Sequence, residues 1–162
     1  MAFRQKSNFA EDSRVAWSMM TAVDTNVIVA LWDPDALLSG AANVALDAAI
    51  GRGRLVICGP VFAELMALPR RNEAFLDGFL RDTGISVDWE LDESIWRAAG
   101  RAFQGYASRR RMHRNKHQDS GPRRILADFL IGAHALKRNC RFLTLDEGLY
   151  RAAFPRLEIQ AI

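Results

Sequence analysis

The chain has 162 residues, 49% of them apolar, so it is long enough for one domain with a substantial core, and wholesale disorder is excluded. The formal net charge is only +3, but seven Arg and Lys residues lie between Ser94 and Gln118, a stretch without Asp or Glu. This uneven charge indicates either a polyanionic partner or a solvated helix end and loop.

The composition also bears on where the chain works. No apolar run approaches the roughly 20 residues that a membrane-spanning helix needs, so we expect no membrane partner. Cys58 and Cys140 lie in apolar runs, which is typical of buried thiols in a reducing cytoplasm. The polar N-terminus has no apolar segment of the signal-peptide type. We expect residues 1–19 to be a flexible or non-native extension and residues 20–162 to form one cytoplasmic domain.

Short apolar runs alternate with segments of helical periodicity throughout residues 20–162. This alternation predicts a parallel sheet with helices on both faces, which is a three-layer α/β/α sandwich. A basic loop, residues 108–122, is predicted where the longest helix ends. The predicted strands are residues 20–23, 55–58, 85–89, 140–145 and 157–162; the predicted helices are residues 26–32, 36–50, 61–67, 72–82, 93–111, 123–137 and 146–154.

Four acidic residues occupy comparable places in this pattern. Asp24 and Asp146 directly follow predicted strands, where an Asp could simply cap the next helix. Glu64 lies in the first turns of a helix that follows a strand, and an exposed helical glutamate is the ordinary explanation. Asp128 lies in the most apolar helix of the chain, where it could pair with Arg124 one turn back. Each residue taken alone is therefore weak evidence for a site.

Taken together, the four acids predict a metal site, because the carboxyl ends of parallel strands meet at one edge of a sheet. Two like charges about 4 Å apart repel by roughly 4 kcal/mol at an effective dielectric constant near 20. Such a cluster needs a cation or raised pKa values. Oxygen ligands favour Mg²⁺ or Mn²⁺, and such an ion can bind a phosphate oxygen and activate water for attack on phosphorus.

Four segments in this order resemble the PIN-domain ribonucleases, and most closely the VapC-type toxins of bacterial toxin–antitoxin pairs. The resemblance covers about residues 20–162. It implies an α/β/α sandwich, endonucleolytic cleavage of an RNA substrate, a homodimer and inhibition by a cognate antitoxin protein. The segments are Val-Asp-Thr-Asn-Val (23–27), Pro-Val-Phe-Ala-Glu-Leu (60–65), Arg-Ile-Leu-Ala-Asp-Phe-Leu-Ile-Gly-Ala-His-Ala (124–135) and Leu-Thr-Leu-Asp (143–146).

The resemblance also assigns roles to individual residues. Asn26 and Thr144 match the family's supporting polar residues. Glu147 follows Asp146, so either acid could complete the set, and we choose Asp146 because it comes directly after the strand. By similarity, the catalytic and metal-binding quartet that holds Mg²⁺ or Mn²⁺ is Asp24, Glu64, Asp128 and Asp146.

The basic segment gains a role from this resemblance, because Arg and Lys are the usual phosphate-contacting residues in RNA-binding proteins. His113 and His117 could bind a metal if they were helical, but exposed or RNA-contacting histidines fit an Arg-rich loop better. His134, in an apolar helix, is predicted to be packed. The residues predicted to bind RNA are Arg109, Arg110, Arg111, Arg114 and Lys116.

Other classes fit less well. A haloacid-dehalogenase-like phosphatase would need a second Asp where Asn26 stands, and a response-regulator receiver would need an acidic pair and a lysine that the sequence lacks. The alternative that stays open is a non-catalytic PIN-like module that binds RNA or protein. All four acids are present, and this favours the enzyme.

Overall fold

The computed structural model describes residues 19–114 and 124–162, and these residues form a three-layer α/β/α sandwich. The predicted fold class is thus confirmed. All but the last residue of the predicted N-terminal extension lie outside the described residues. The described strands are β1 (Met20–Val23), β2 (Arg54–Cys58), β3 (Ser86–Asp88), β4 (Arg141–Thr144) and β5 (Ile159–Ala161); the helices are α1 (Thr25–Leu31), α2 (Ala36–Ile50), α3 (Gly59–Met66), α4 (Glu73–Thr83), α5 (Glu93–Arg114), α6 (Leu126–Lys137) and α7 (Glu147–Ala153).

The sheet is parallel throughout, with the strand order β3-β2-β1-β4-β5. β1 lies at its centre, and the chain passes first to one side of β1 and later to the other. Ligands in open α/β sheets bind where the strand order reverses in this way, outside the carboxyl ends of the strands. The topology therefore places the candidate site beyond the ends of β1 and β4.

Local sequence explains the helix ends. The Asp35 carboxylate caps α2 by accepting the N–H groups of Leu37 and Leu38, at 2.9 and 3.4 Å. The Asn72 side chain caps α4 in the same way, and α4 ends at Gly84, whose positive φ of 71° suits glycine. Helix α3 begins at Gly59 and Pro60, and proline is well tolerated in the first turn because its missing N–H would have no helical partner there.

Two predicted helix boundaries were wrong by three residues, more than the other boundaries differ. Helix α5 continues to Arg114, so the described part of the predicted basic loop, residues 108–114, is helical. Arginine is a good helix former, and a run of charge is compatible with an exposed helix. Helix α6 begins at Leu126 and not at Arg123, because the Asp128 carboxylate accepts the N–H of Ile125 at 3.1 Å and ends the extended segment there.

The core lies between the sheet and both helical layers. Apolar residues of β1, β2 and β4 are almost fully buried, as are residues of α1, α3, α6 and α7 that pack on them. Both cysteines are buried and free, as predicted, and burial raises the pKa of each thiol to about 12. In the described part of the chain, no helix is long and apolar enough to span a membrane.

Candidate active site

A cleft of about 530 Å³ opens beyond the carboxyl ends of β1 and β4, and all four predicted acids line it. Asp24 follows β1, Glu64 comes from the second turn of α3, Asp128 from the first turn of α6, and Asp146 directly precedes α7. The sequence therefore predicted the gathering of these four residues correctly. Their roles in binding or catalysis stay a prediction.

Asp24 is the most buried member of this quartet, with 4% of its surface exposed. Its Oδ2 accepts hydrogen bonds from the Thr144 hydroxyl at 2.7 Å and from Nδ2 of Asn26 at 2.8 Å. Burial raises the pKa of Asp24 to about 6, and the nearby carboxylates of Asp128 and Glu64 also raise it. The two hydrogen bonds hold this carboxylate in place despite its unfavourable surroundings.

Asn26 and Thr144, the predicted supporting residues, connect the two central strands at this edge. The Asn26 Oδ1 accepts the N–H of Leu145 at 3.0 Å while its Nδ2 donates to Asp24. The Thr144 Oγ1 accepts the N–H of Asp146 at 2.9 Å while its hydroxyl donates to Asp24. These bonds fix the position of the Asp146 backbone relative to Asp24.

Glu64 faces the same cleft from α3. The Thr25 hydroxyl donates a hydrogen bond to its carboxylate. Burial raises the pKa of Glu64 and the Asp128 carboxylate adds to this, whereas the bond from Thr25 lowers it. The mutual effects on Asp24 and Glu64 show that three of the acids lie within electrostatic range of one another.

Asp146 has two partners, one for each of its carboxylate oxygens. Its Oδ1 caps α7 by accepting the N–H of Leu149 at 3.2 Å, which is the ordinary use of Asp in this position. Its Oδ2 lies 2.5 Å from Nη2 of Arg124. Arg124 thus pairs with Asp146 and not with Asp128, the partner considered from the sequence.

The residues of the cleft fit a divalent cation by chemistry and by charge. The potential ligands of the quartet are all carboxylate oxygens, as Mg²⁺ and Mn²⁺ prefer, and a cation would stabilise the charged forms of Asp24 and Glu64, whose pKa values are raised. As the side chains stand, however, no three Asp, Glu, His or Cys residues among 19–114 and 124–162 are grouped to hold one ion. Each carboxylate of the quartet is instead turned to a partner within the protein.

The comparison with protein families decides the classification. Residues 21–155 match the family model of the PIN domain. The chain belongs to the PIN-domain family. No curated protein sequence matches it.

Solved structures support the same fold for this PIN domain. It is similar to VapBC2 from Rickettsia felis bound to a DNA fragment from their promoter, with a TM-score of 0.59 and 18% identity over 88% of this chain and 98% of that chain. It is also similar to VapBC-1 from nontypeable Haemophilus influenzae, with a TM-score of 0.57 and 20% identity over 88% and 98% of the two chains. A third similar structure is FitAcB from Neisseria gonorrhoeae, with a TM-score of 0.53 and 21% identity over 86% of this chain and 96% of that chain.

Several residues of the PIN-domain cleft were not predicted. Thr25 and Arg124 contact members of the quartet, and Asp33 adds a fifth carboxylate to the lining. Tyr150, four residues after Asp146 on α7, is 1% exposed; burial raises its pKa, and so do the Asp24 charge and its hydrogen bond with Asp24. Only its spacing could have indicated Tyr150 from the sequence, because a residue four positions after Asp146 lies on the same face of the helix.

Arg109, Arg110 and Arg111 do not share one face of α5, because successive residues of a helix point in directions about 100° apart. Arg110 donates to the Tyr106 hydroxyl at 3.0 Å, and Arg111 contacts the Ser108 hydroxyl at 3.4 Å. Arg109 lines a separate groove of about 310 Å³ between α5, α6 and α7, where the other cations are Arg101, Lys137 and Arg156. The Arg114 and His113 side chains, Lys116 and His117 lie outside the described residues.

His134 is packed, as predicted, with 1% of its side chain exposed. Its Nε2 lies 3.0 Å from the Asp88 carboxylate, and Arg138 donates to that same carboxylate at 2.7 Å. Burial lowers the pKa of His134, although Asp88 opposes this effect. This cluster connects the end of β3 to α6 and does not line the carboxylate cleft.

Proposed function

We propose that this PIN domain is a metal-dependent endoribonuclease, the toxin of a toxin–antitoxin pair. The observation that supports the proposal is the convergence of four carboxylates from four separate elements in one cleft of a PIN-family chain. PIN domains are generally nucleases, and a cluster of half-buried acids around the buried Asp24 costs stability, so a protein keeps it where function requires it.

In this proposal Asp24, Glu64, Asp128 and Asp146 hold Mg²⁺ or Mn²⁺. The ion would supply Lewis-acid stabilisation of the phosphate charge and a water of lowered pKa. Asn26 and Thr144 keep the Asp24 carboxylate pointed into the cleft through the hydrogen bonds described above. Thr25 does the same for Glu64. The residues that contact the RNA backbone in this proposal are Arg109, Arg110, Arg111, Arg114 and Lys116.

The partners belong to the proposal as well. The structural likeness to VapBC proteins supports a small antitoxin as the cognate partner. A homodimer and a cytoplasmic location are also part of the proposal, through the sequence resemblance to VapC-type toxins alone.

A second function is favoured by one observation, namely that no three acidic side chains among the described residues are grouped around a common point. A PIN-like module that binds RNA or protein without cleaving it would have no need of such grouping. The two functions differ in what metal removal does, because only the nuclease requires the ion.

The test is cleavage of labelled tRNAs and structured rRNA fragments by the purified protein, freed of any co-purifying antitoxin, with Mg²⁺, with Mn²⁺ and with EDTA. We expect discrete fragments that require the metal, and a loss of about 100-fold or more in Asp128→Asn, which keeps the acceptor for Ile125 but removes the charge. Asp47→Asn, an exposed position of α2, is the matched control and should cleave normally. RNA retention that survives EDTA, without cleavage, would favour the binding module.

A further inference from the structure

The carboxylate cleft contains one cation among its described lining residues, and that cation is Arg124. Five carboxylates surround it, those of Asp33 and the quartet, so the cleft is strongly negative. Both partners of the Arg124–Asp146 ion pair are partly shielded, with 26% and 28% of their side chains exposed. The pair therefore lies at the mouth of the cleft and not on the open surface.

The backbone of Arg124 is held in place independently of this ion pair. Its N–H donates to the Tyr106 hydroxyl at 2.9 Å, and the same hydroxyl accepts from Arg110 at 3.0 Å. The Tyr106 ring in turn packs on Phe129 in the first turns of α6, with ring centroids 5.5 Å apart. The guanidinium can therefore change partner by side-chain rotation alone, while its root stays at the rim of the cleft.

Arg124 and a divalent cation would compete for Oδ2 of Asp146, because two positive groups on the same oxygen repel each other. The Oδ2 of Asp146 is occupied by Arg124, and its Oδ1 is occupied by the N–H of Leu149. Giving up the Leu149 bond would uncap α7, whereas giving up Arg124 releases a side chain that can reach other anions. The ion pair is thus the easier contact for Asp146 to exchange.

Once it has left Asp146, the Arg124 guanidinium can bind the phosphodiester of an RNA substrate, which is the negatively charged group that has to enter this cleft. A phosphodiester approaching five carboxylates is repelled, and a single divalent cation offsets only part of that charge. Arginine presents parallel N–H donors that match two phosphate oxygens, and no other described residue of the lining carries a positive charge.

We propose that Arg124 is the phosphate-binding residue of this cleft, held on Asp146 until Asp146 takes a divalent cation. The inference rests on the proposed function, because it needs both a metal and a phosphodiester substrate. It assigns to one residue two effects of opposite sign: the guanidinium paired with Asp146 competes with the metal, and the released guanidinium promotes cleavage.

The experiment measures both effects on the same variants. Binding of Mn²⁺ is followed by the electron paramagnetic resonance signal of the free ion, without RNA, and cleavage is measured at saturating Mn²⁺. We expect Arg124→Gln to bind Mn²⁺ about 3- to 10-fold more tightly, because the competing charge is gone, and to lose about 100-fold in kcat/KM. Arg124→Lys, which keeps the charge but not the paired donors, should lie between the wild type and Arg124→Gln in both measurements.

Arg151→Gln is the matched control. Arg151 pairs with Glu147 on α7 but does not line the cleft, so this variant should resemble the wild type in both measurements. Thermal unfolding of each variant checks that the fold is kept.

The other outcomes are distinguishable. Tighter Mn²⁺ binding with unchanged or faster cleavage would make Arg124 a counter-ion only and would overturn the phosphate role. Weaker Mn²⁺ binding together with slower cleavage would show a structural role and would overturn the proposal. A wild-type protein that neither binds Mn²⁺ nor cleaves RNA would overturn the proposed function itself, and this inference with it.

Discussion

Asp24 experiences both influences that raise the pKa of a carboxyl group. Burial removes its charge from water, and the neighbouring charges of Asp128 and Glu64 repel it. A carboxyl whose pKa is 3.8 in the unfolded chain and about 6 in the folded protein holds its proton more tightly when folded. This contribution to stability, about 3 kcal/mol, is complete below pH 3.8 and is lost as the pH rises from 3.8 through 6.

We therefore predict that Asp24→Asn abolishes cleavage and increases the stability of the metal-free protein at pH 7 by about 1–3 kcal/mol. An asparagine oxygen can still accept from Thr144 and Asn26, so the fold loses little. Urea unfolding at pH 4, 5, 6 and 7 measures the free energy of unfolding of both proteins. The advantage of the variant over the wild type should grow with pH.

The same variant separates electrostatics from metal binding. Mn²⁺ should raise the Tm of the wild type and have a smaller effect on Asp24→Asn, because the wild type gains a partner for its carboxylate. A destabilised variant with an unchanged pH profile would contradict the account of Asp24 as a strained charge.

Helices α6 and α7 approach closely at Gly132. A Cβ atom at this position would lie 2.4 Å from Cε2 and 2.7 Å from Cδ2 of the Phe154 ring, and 2.9 Å from Cδ1 of Tyr150. Tyr150 lines the cleft beside Asp24, so this contact connects helix packing to the geometry of the site. Glycine is required here by the close approach of two aromatic rings and not by backbone conformation.

We predict that Gly132→Ala destabilises the protein by about 1–3 kcal/mol through overpacking and lowers cleavage by displacing Tyr150. Chemical denaturation and the RNA cleavage assay measure the two effects. Gly100→Ala on α5 is the matched control, because this position is exposed and an added Cβ would meet no other part of the protein within 4 Å. This variant should gain about 0.5–1 kcal/mol in free energy of unfolding from the better helix propensity of alanine. Equal effects of the two substitutions would show that helix propensity, not packing, decides at Gly132.

At the scale of helices and strands, sequence patterns were enough to locate some elements and not others. Buried strands such as β2 are continuous apolar runs, so they could be located from the sequence alone. The end of α5 could not, because an Arg-rich segment suits a loop and a helix equally well until the Tyr106–Arg110 contact, one turn apart, is known. The placing of the acids in one cleft was predictable because parallel topology brings the strand ends together.

The pairing of Arg124 with Asp146 depends on side-chain packing and was not predictable.

At the scale of the whole molecule, the central position of β1 makes the two halves of the chain interdependent. β1 pairs with β2 on one side and with β4 on the other, and both pairings are needed to cover its edges. The later half also supplies buried residues, including Phe142, Leu143 and Tyr150. The first half therefore lacks a complete core.

We predict that a chain ending after Lys137 shows no cooperative thermal unfolding, because β1 becomes an edge strand and a large part of the core is missing. Circular dichroism at increasing temperature measures this. A chain ending after Glu158, which lacks only the edge strand β5, should still unfold cooperatively at a lower Tm. A sharp transition in the shorter chain would show that β1 to β3 and their helices fold on their own.

This dependence on β4 has a consequence for how the protein is synthesised. Translation proceeds from the N-terminus, so Asp24, Glu64 and Asp128 leave the ribosome before Thr144 and Asp146, which complete the cleft. A nascent chain has neither the hydroxyl that orients Asp24 nor the fourth acid. On the proposed function, the nascent protein stays inactive until β4 and Asp146 have been synthesised and β4 has paired with β1.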